Sequence, residues 1–335
     1  MQDQNTASLG IDVSKRSFDA CLITAELTKP KRAHFQNSPE GFQQLVSWIQ
    51  KHTKESVHAC MEATSWYAEP LATYLHFQDM LVSIVNPART SAFAKTKLSR
   101  QKTDKTDAFL IAEFCRLHQP APWVPRTPEL AELRAEYRFH SALKMQAAHI
   151  KAKISDASPY TPKPILKALR AQYSLLCKQA RDGMARMMTL IKKEESLRHN
   201  LDLIIEIKGI GILTAICILA EIPPVQCFRN VRQYVAHVGL NTRHHSSGTS
   251  VYKPAAISKI GSARVRKALY MPAIVVKNYN PHFLPFCKTL KARGKKEKQI
   301  VIAVARKLLH AIFGMLKNNT PFNPQLLFPT QQLSS

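Results

Sequence analysis

Apolar and polar residues alternate through 8-SLGIDVSKRSFDACL-22 on either side of the polar run SKRS. Period-two alternation around a short polar turn predicts a β-hairpin. A third short strand is expected at 31-KRAHFQ-36. From Pro39 the period changes: Phe42, Leu45, Trp48 and Ile49 recur at three and four residues, which predicts a helix over 39–52. A strand at 56-SVHACMEA-63, a helix at 66-WYAEPLATYLH-76 and a strand at 81-LVSIVNP-87 follow. The helix through 103-TDKTDAFLIAEF-114, with Ile111, Phe114 and Cys115 on one stripe, closes the series. Hairpin strands first, then strands alternating with helices, predict a mixed α/β sheet covered by helices.

Beyond residue 127 the strand signal disappears. Residues 128–155 and 164–200 carry long, charged helical patterns separated by 156-DASPYTPKP-164. Leu166, Leu169, Leu175, Leu176, Met187 and Leu190 suit a helical hairpin or coiled-coil arm, without a clear heptad register. Residues 207–322 read as helical again, punctuated by glycines, and 323–335 as a loose tail. The expected organisation is an α/β domain over 1–126, a helical arm over 127–203, a mainly α-helical domain over 204–322 and the tail.

Charge then separates the two halves. The chain has 335 residues and a formal net charge of +25. Residues 1–150 hold 18 basic and 15 acidic residues, whereas residues 151–335 hold 30 and 8. The excess of +22 on the second half points to a polyanion partner, most simply nucleic acid. Seven cysteines are scattered singly without a CxxC pair, which argues for a reducing compartment and against a disulfide framework or a zinc site. No apolar signal core opens the chain, and no run of about 18–20 apolar residues is seen, so a cytoplasmic protein without a membrane partner is expected.

Against this basic background the carboxylates of the first half stand out. Asp104 and Asp107 share one helix face, and a helix start would account for both, through capping and the helix dipole. Asp12 sits within a strand otherwise made of LGI and V, where a charge is costly unless it faces a site or a partner. Glu62 ends another apolar strand. Surface alternation explains either one alone. If the four converge at one edge of the sheet, their repulsion needs compensation, and a pair of Mg²⁺ ions would provide it. Two such ions suit phosphodiester chemistry; a structural ion or an ordinary charged face fits the same spacing.

Two further stretches carry candidate chemistry. In 204-IIEIKGIGILTAICILAEI-222 a dinucleotide-binding loop is disfavoured, because Thr214 stands in place of a third glycine and no βαβ unit surrounds it. A helix–hairpin–helix fits better, with Ile207 packed on Leu213 and the Gly209–Gly211 turn offering backbone N–H groups to a DNA phosphate. In 238-VGLNTRHHSSGTSVYKPAAISKIGSARVRKALYMPA-273 a Ser/Gly loop precedes a basic helix. By composition it is only a loop. The neighbouring His244 and His245 have no apparent third metal ligand.

Taken together, LGIDVSK around Asp12, MEATSWY around Glu62 and KTDKTDAFLIAEFCR around Asp104 and Asp107 resemble the four-carboxylate signature of the DEDD transposases, the insertion-sequence one-ten family related to the Piv and MooV invertases. The later GLNTRHHSSG, SKIG and RKALY resemble the same family's second domain, with Thr242 where the family often has proline. The resemblance runs from about residue 8 to 322 and is weakest over 127–200. It implies a RuvC-like, RNase-H-type fold for the first domain and a DNA transposase or recombinase activity. Asp12, Glu62, Asp104 and Asp107 would bind Mg²⁺, and Ser247, directly before Gly248, would be the nucleophile. The implied partners are double-stranded donor and target DNA, a structured non-coding bridge RNA and further copies of the chain, as a dimer or tetramer. Lys208, Arg243, Lys259, Arg264 and Arg266 become candidate phosphate contacts. A RuvC-like nuclease that uses water, and a non-catalytic nucleic-acid-binding protein, are the alternatives.

Overall fold

The computed structural model describes residues 6–24, 29–63, 67–96, 104–247 and 251–328, which fall into two units divided after Pro125. In the first unit, β1 (Thr6–Val13) and β2 (Ser17–Ile23) form an antiparallel hairpin that β3 (Lys31–Gln36) extends. Helix α1 (Pro39–His52) crosses to β4 (Ser56–Glu62), and α2 (Ala68–His76) leads on to β5 (Leu81–Val85). Strand β4 pairs parallel with both β1 and β5, giving the order β3-β2-β1-β4-β5. The hairpin alternation and the helical stripes foretell these elements to within a few residues.

Alternation sorts the side chains of the sheet. Leu9, Ile11, Phe18, Leu22, Ala59 and Met61 face the layer formed by α1 and α2, meeting Leu45, Ile49, Leu71 and Leu75. Gly10, Cys21 and Cys60 face the other way, under α4 (Asp104–His118), which follows α3 (Pro87–Thr96). The approach of α4 to β1 depends on Gly10. A Cβ there would lie 2.1 Å from the Ala108 carbonyl oxygen and 2.2 Å from the Ala112 nitrogen, so only glycine lets the two backbones touch.

Helix α3 is not anticipated from the apolar pattern. Its one buried residue is the polar Thr90, so it shows no hydrophobic stripe. A local signal was nonetheless present: Pro87 opens the helix, and Asn86 Oδ1 accepts from the Ala88 N–H at 2.8 Å.

The second unit begins with α5 (Pro128–Ser155) and α6 (Lys163–Lys193), which pair as a helical hairpin. The inward positions of α6 are Leu166, Leu169, Tyr173, Leu176, Ala180, Gly183 and Met187, a regular alternation of three and four residues. Leu175, grouped with them on sequence, is exposed. The long helical pattern expected to run to 200 is broken at Glu194, whose backbone is extended, and α7 (Glu195–Ile205) follows.

Then come α8 (Ile212–Glu221), α9 (Val231–Val238), β6 (Thr242–Ser247), β7 (Val251–Ile257), α10 (Ala263–Tyr279), α11 (Leu284–Ala292), α12 (Glu297–Asn318) and the short α13 (Pro324–Leu327). Leu133, Tyr137, Met187 and Ile191, at the base of the hairpin, share one core with α7 to α12. Two expectations are corrected here. Ser246 and Ser247 of the supposed Ser/Gly loop belong to β6, which pairs antiparallel with β7 and was hidden by the polar TRHHSS and by Pro254 within β7; residues 248–250 lie outside the described ones. The supposed loose tail is anchored as far as residue 328, with Leu327 buried and its carbonyl accepting from Lys307 Nζ at 3.0 Å. By length and composition α12 could cross a membrane, contrary to the sequence reading. Its Ile300, Val304, Leu308, Leu309 and Ile312 are core residues of this unit.

Candidate active site

Glu62 ends β4, and Asp12 is the last residue but one of β1, the strand parallel to it. The β1–β4 register runs to Ile11 opposite Met61, so the next step brings these two carboxylates side by side at the C-terminal edge. That edge is where open α/β sheets place their ligands. Both residues are half-buried. By alternation with Gly10 and Cys60, both lie on the face that α4 covers. Thr90 Oγ1 donates to Glu62 Oε1. Beneath them, a shared hydrogen bond with Cys115 and burial push the Cys60 thiol up, so it stays protonated.

Asp107 stands in the first turn of α4, directly before Ala108, whose carbonyl meets Gly10 two residues from Asp12. The Gly10 contact therefore brings the head of α4 toward the end of β1. The side chain of Asp104 lies outside the described ones. Among the described residues no three His, Cys, Asp or Glu side chains close on a single ion.

Sequence reasoning missed Asp19. It pairs with Asp12 across the β1–β2 hairpin, and its Oδ1 lies 3.1 Å from His34 Nδ1 on β3. The signal was available, because a hairpin turning at Lys15–Arg16 necessarily sets Asp12 opposite Asp19. The turn is closed by Ser14, whose hydroxyl donates to the Ser17 carbonyl at 2.7 Å.

In the second unit, the backbone of Ser247 ends β6 opposite Val251. Gly248 and the side chains of Arg243 and Ser247 lie outside the described ones. The glycine turn connects α7 to α8. Gly209 has φ +110°, and a Cβ there would meet Val276 at 2.7 Å, so this position requires glycine. Gly211 is the N-cap of α8, with open space where a Cβ would stand and no side-chain hydrogen bond to the first turn. Ile207 and Ile210 are buried, whereas Leu213, expected to pack on Ile207, is exposed. Leu213, the second residue of α8, falls on the outer side of the helix. Asn280, itself buried, donates from Nδ2 to the Lys208 carbonyl at 3.0 Å and pins the turn to the end of α10.

The basic candidates differ in what they already hold. Lys208 and Lys259 are exposed. Arg266 Nη1 donates to the carbonyls of Val238 at 2.8 Å and Gly261 at 3.0 Å, fastening the loop before α10 to the end of α9. Arg264 is more than half exposed and lies 3.8 Å from Glu221, a buried carboxylate that also takes a bidentate pair from Arg138 at 2.7 and 2.9 Å.

Burial alone would raise the Glu221 carboxyl, but Arg138, Arg134 and Arg264 outweigh it and hold the pKa below the usual value. The stabilisation is therefore complete above the unfolded carboxyl value of about 4.3 and lost as pH falls through the lower folded value. Glu221→Gln is expected to destabilise the protein by about 3 kcal/mol at pH 7, because the arginines lose their partner. Thermal melts should show the gap to the parent protein narrowing in acid; a gap constant with pH would contradict this account.

Comparison with known proteins gives the chain's relatives. Residues 9–157 match a DEDD transposase family of the IS110 type, and residues 201–288 match the family described as "Transposase IS116/IS110/IS902 family". The chain is 32% identical to the "Pilin gene-inverting protein" of Moraxella bovis over 321 residues, 95% of this chain and 98% of that one. The protein of the same description from Moraxella lacunata is also 32% identical over 321 residues. A shorter match, 25% identical over 118 residues, covers 35% of this chain and 29% of an "Insertion element IS110 uncharacterized 43.6 kDa protein" of Streptomyces coelicolor.

Proposed function

The chain belongs to the IS116/IS110/IS902 family of transposases, and from that premise we propose that it cuts and rejoins DNA with a four-carboxylate site and a serine nucleophile. The observation that carries the reading is the neighbouring position of Asp12 and Glu62 at two parallel strand ends, on the face covered by the helix that bears Asp107. The sheet order, with hairpin strands first and parallel crossovers after, supports a RuvC-like first domain.

Asp12, Glu62, Asp104 and Asp107 offer hard carboxylate oxygens of the kind Mg²⁺ prefers, and two ions fit four such groups. When bound, Mg²⁺ would stabilise charge on the attacking and leaving oxygens of a phosphoryl transfer. The hydroxyl of Ser247 attacks the scissile phosphate and loses its proton. A phosphoserine bond forms as the phosphate–oxygen bond to one DNA end breaks, and that oxygen gains a proton. Attack on the phosphoserine by a different DNA hydroxyl reverses the exchange and joins new ends.

The charge of residues 151–335 suits backbones of DNA and of a guiding non-coding RNA, with the amides of Gly209 and Gly211 and the side chains of Lys208, Arg243, Lys259, Arg264 and Arg266 as contacts. Assembly as a dimer or tetramer would let one copy supply the carboxylates and another the serine. DNA inversion, which the names of the Moraxella relatives favour, uses the same exchange with both sites on one molecule.

The test is recovery of the covalent intermediate. Full-length protein is incubated with Mg²⁺, a supercoiled plasmid carrying the native flanks of the gene, and RNA transcribed from those flanks. After denaturation, a protein–DNA adduct mapping to the peptide with Ser247 is expected. Cleavage without an adduct would instead identify a nuclease that uses water.

A further inference from the structure

We propose that Thr90 is the positioning residue for Glu62, an inference that rests on the metal-binding role proposed above for that glutamate. Thr90 is only 4% exposed, and its hydroxyl donates to Glu62 Oε1. The same Oγ1 lies 3.0 Å from the Pro87 carbonyl oxygen. A hydroxyl has one proton, and an ionised carboxylate is the stronger acceptor of the two. Fixing Oε1 removes rotamer freedom from a long side chain and leaves Oε2 to face a cation.

The helix carrying Thr90 is itself held from both sides of the site. At its start, Asn86 caps the Ala88 amide at 2.8 Å, and the Ala63 amide donates to the Val85 carbonyl at 2.8 Å, tying the end of β4 to that of β5. On its other side, the Arg89 guanidinium lies 5.3 Å from the centre of the Phe114 ring on α4, and Phe93 packs edge-on to the same ring at 5.8 Å. Helix α3 thus braces the glutamate of β4 and also contacts the helix that carries Asp107. The simpler role for Thr90, a bond back to the carbonyl three residues earlier in its own helix, would affect stability and nothing at the carboxylate.

The test compares Thr90→Val, which keeps the shape and removes the donor, with Thr90→Ser, which keeps the donor. In Thr90→Val the Mg²⁺ concentration for half-maximal cleavage of the flank-bearing plasmid should rise at least about tenfold, the usual effect of losing a group that orients a metal ligand. Mn²⁺ binding by the full-length chain, followed from the electron-spin signal of the free ion, should weaken in parallel. Thr90→Ser should stay within about twofold of the parent protein on both measures. If valine disturbs α3 in thermal melts, Thr90→Ala should give the same shift.

Unchanged Mn²⁺ binding and Mg²⁺ dependence in the folded valine or alanine variant would overturn the inference, as would a serine variant as impaired as valine. Glu62→Gln separates the two readings. If it cleaves and binds Mn²⁺ normally, the metal role of Glu62 fails and this inference with it. If it is inactive while Thr90→Val is normal, only the role of Thr90 fails.

Discussion

Asparagine at Asp12 or at Asp107 is expected to lower DNA cleavage at least about a thousandfold while the protein melts within a few degrees of the parent. Each change is nearly isosteric and removes one anionic oxygen, so the loss falls on cation binding more than on packing. Asp12 lies at the open end of β1, opposite Asp19 on the paired strand. Like charges directly opposite each other in a sheet are unfavourable, so neutralising Asp12 should not weaken the hairpin. Asp107 sits in the first turn of α4, where loss of a negative charge costs about 0.3–1 kcal/mol through the helix dipole. If capping were its whole purpose, Asp107→Asn would melt slightly lower and cut normally. Plasmid nicking and thermal melts on the same preparations decide between the two roles.

How far the sequence alone reaches depends on whether a signal is local. The strands bearing Asp12 and Glu62 were legible because both are apolar runs with a carboxylate at or next to the end, and their adjacency follows once β4 is placed parallel to β1. The contact that brings α4 across β1 was not legible. Gly10 reads as one residue in an alternating strand, and nothing local says that a helix backbone about a hundred residues later must lie against it. Thr90 escaped for a related reason: a buried threonine on a helix without an apolar stripe leaves no periodic trace. Asp19 was hidden in plain view, since the hairpin register alone pairs it with Asp12. In the second unit, the three-and-four spacing on α6 is obscured because Tyr173, Ala180 and Gly183, not large aliphatic side chains, occupy inward positions. The β6–β7 hairpin was obscured by polar residues that composition assigns to loops.

Ser247→Ala is expected to eliminate the covalent protein–DNA adduct and to reduce strand exchange by about 10⁴-fold or more, as when other nucleophiles that form covalent intermediates are removed. The substitution leaves the charge of the second unit untouched, so affinity for the flank DNA should stay within about twofold at constant salt. Ser246→Ala, one residue earlier on β6, serves as the control and should retain the adduct. The two halves of the proposed site can then be separated. Asp12→Asn should lose the adduct because the phosphate is no longer activated, even though the serine is intact. Ser247→Ala should lose it although Mn²⁺ binding by the carboxylates persists. A Ser247→Ala protein that still nicks the plasmid at the parent rate would mean that the carboxylates work with water, and that the serine at the end of β6 has another task. Loss of nicking together with retained metal and DNA binding would place the bond-forming oxygen on Ser247.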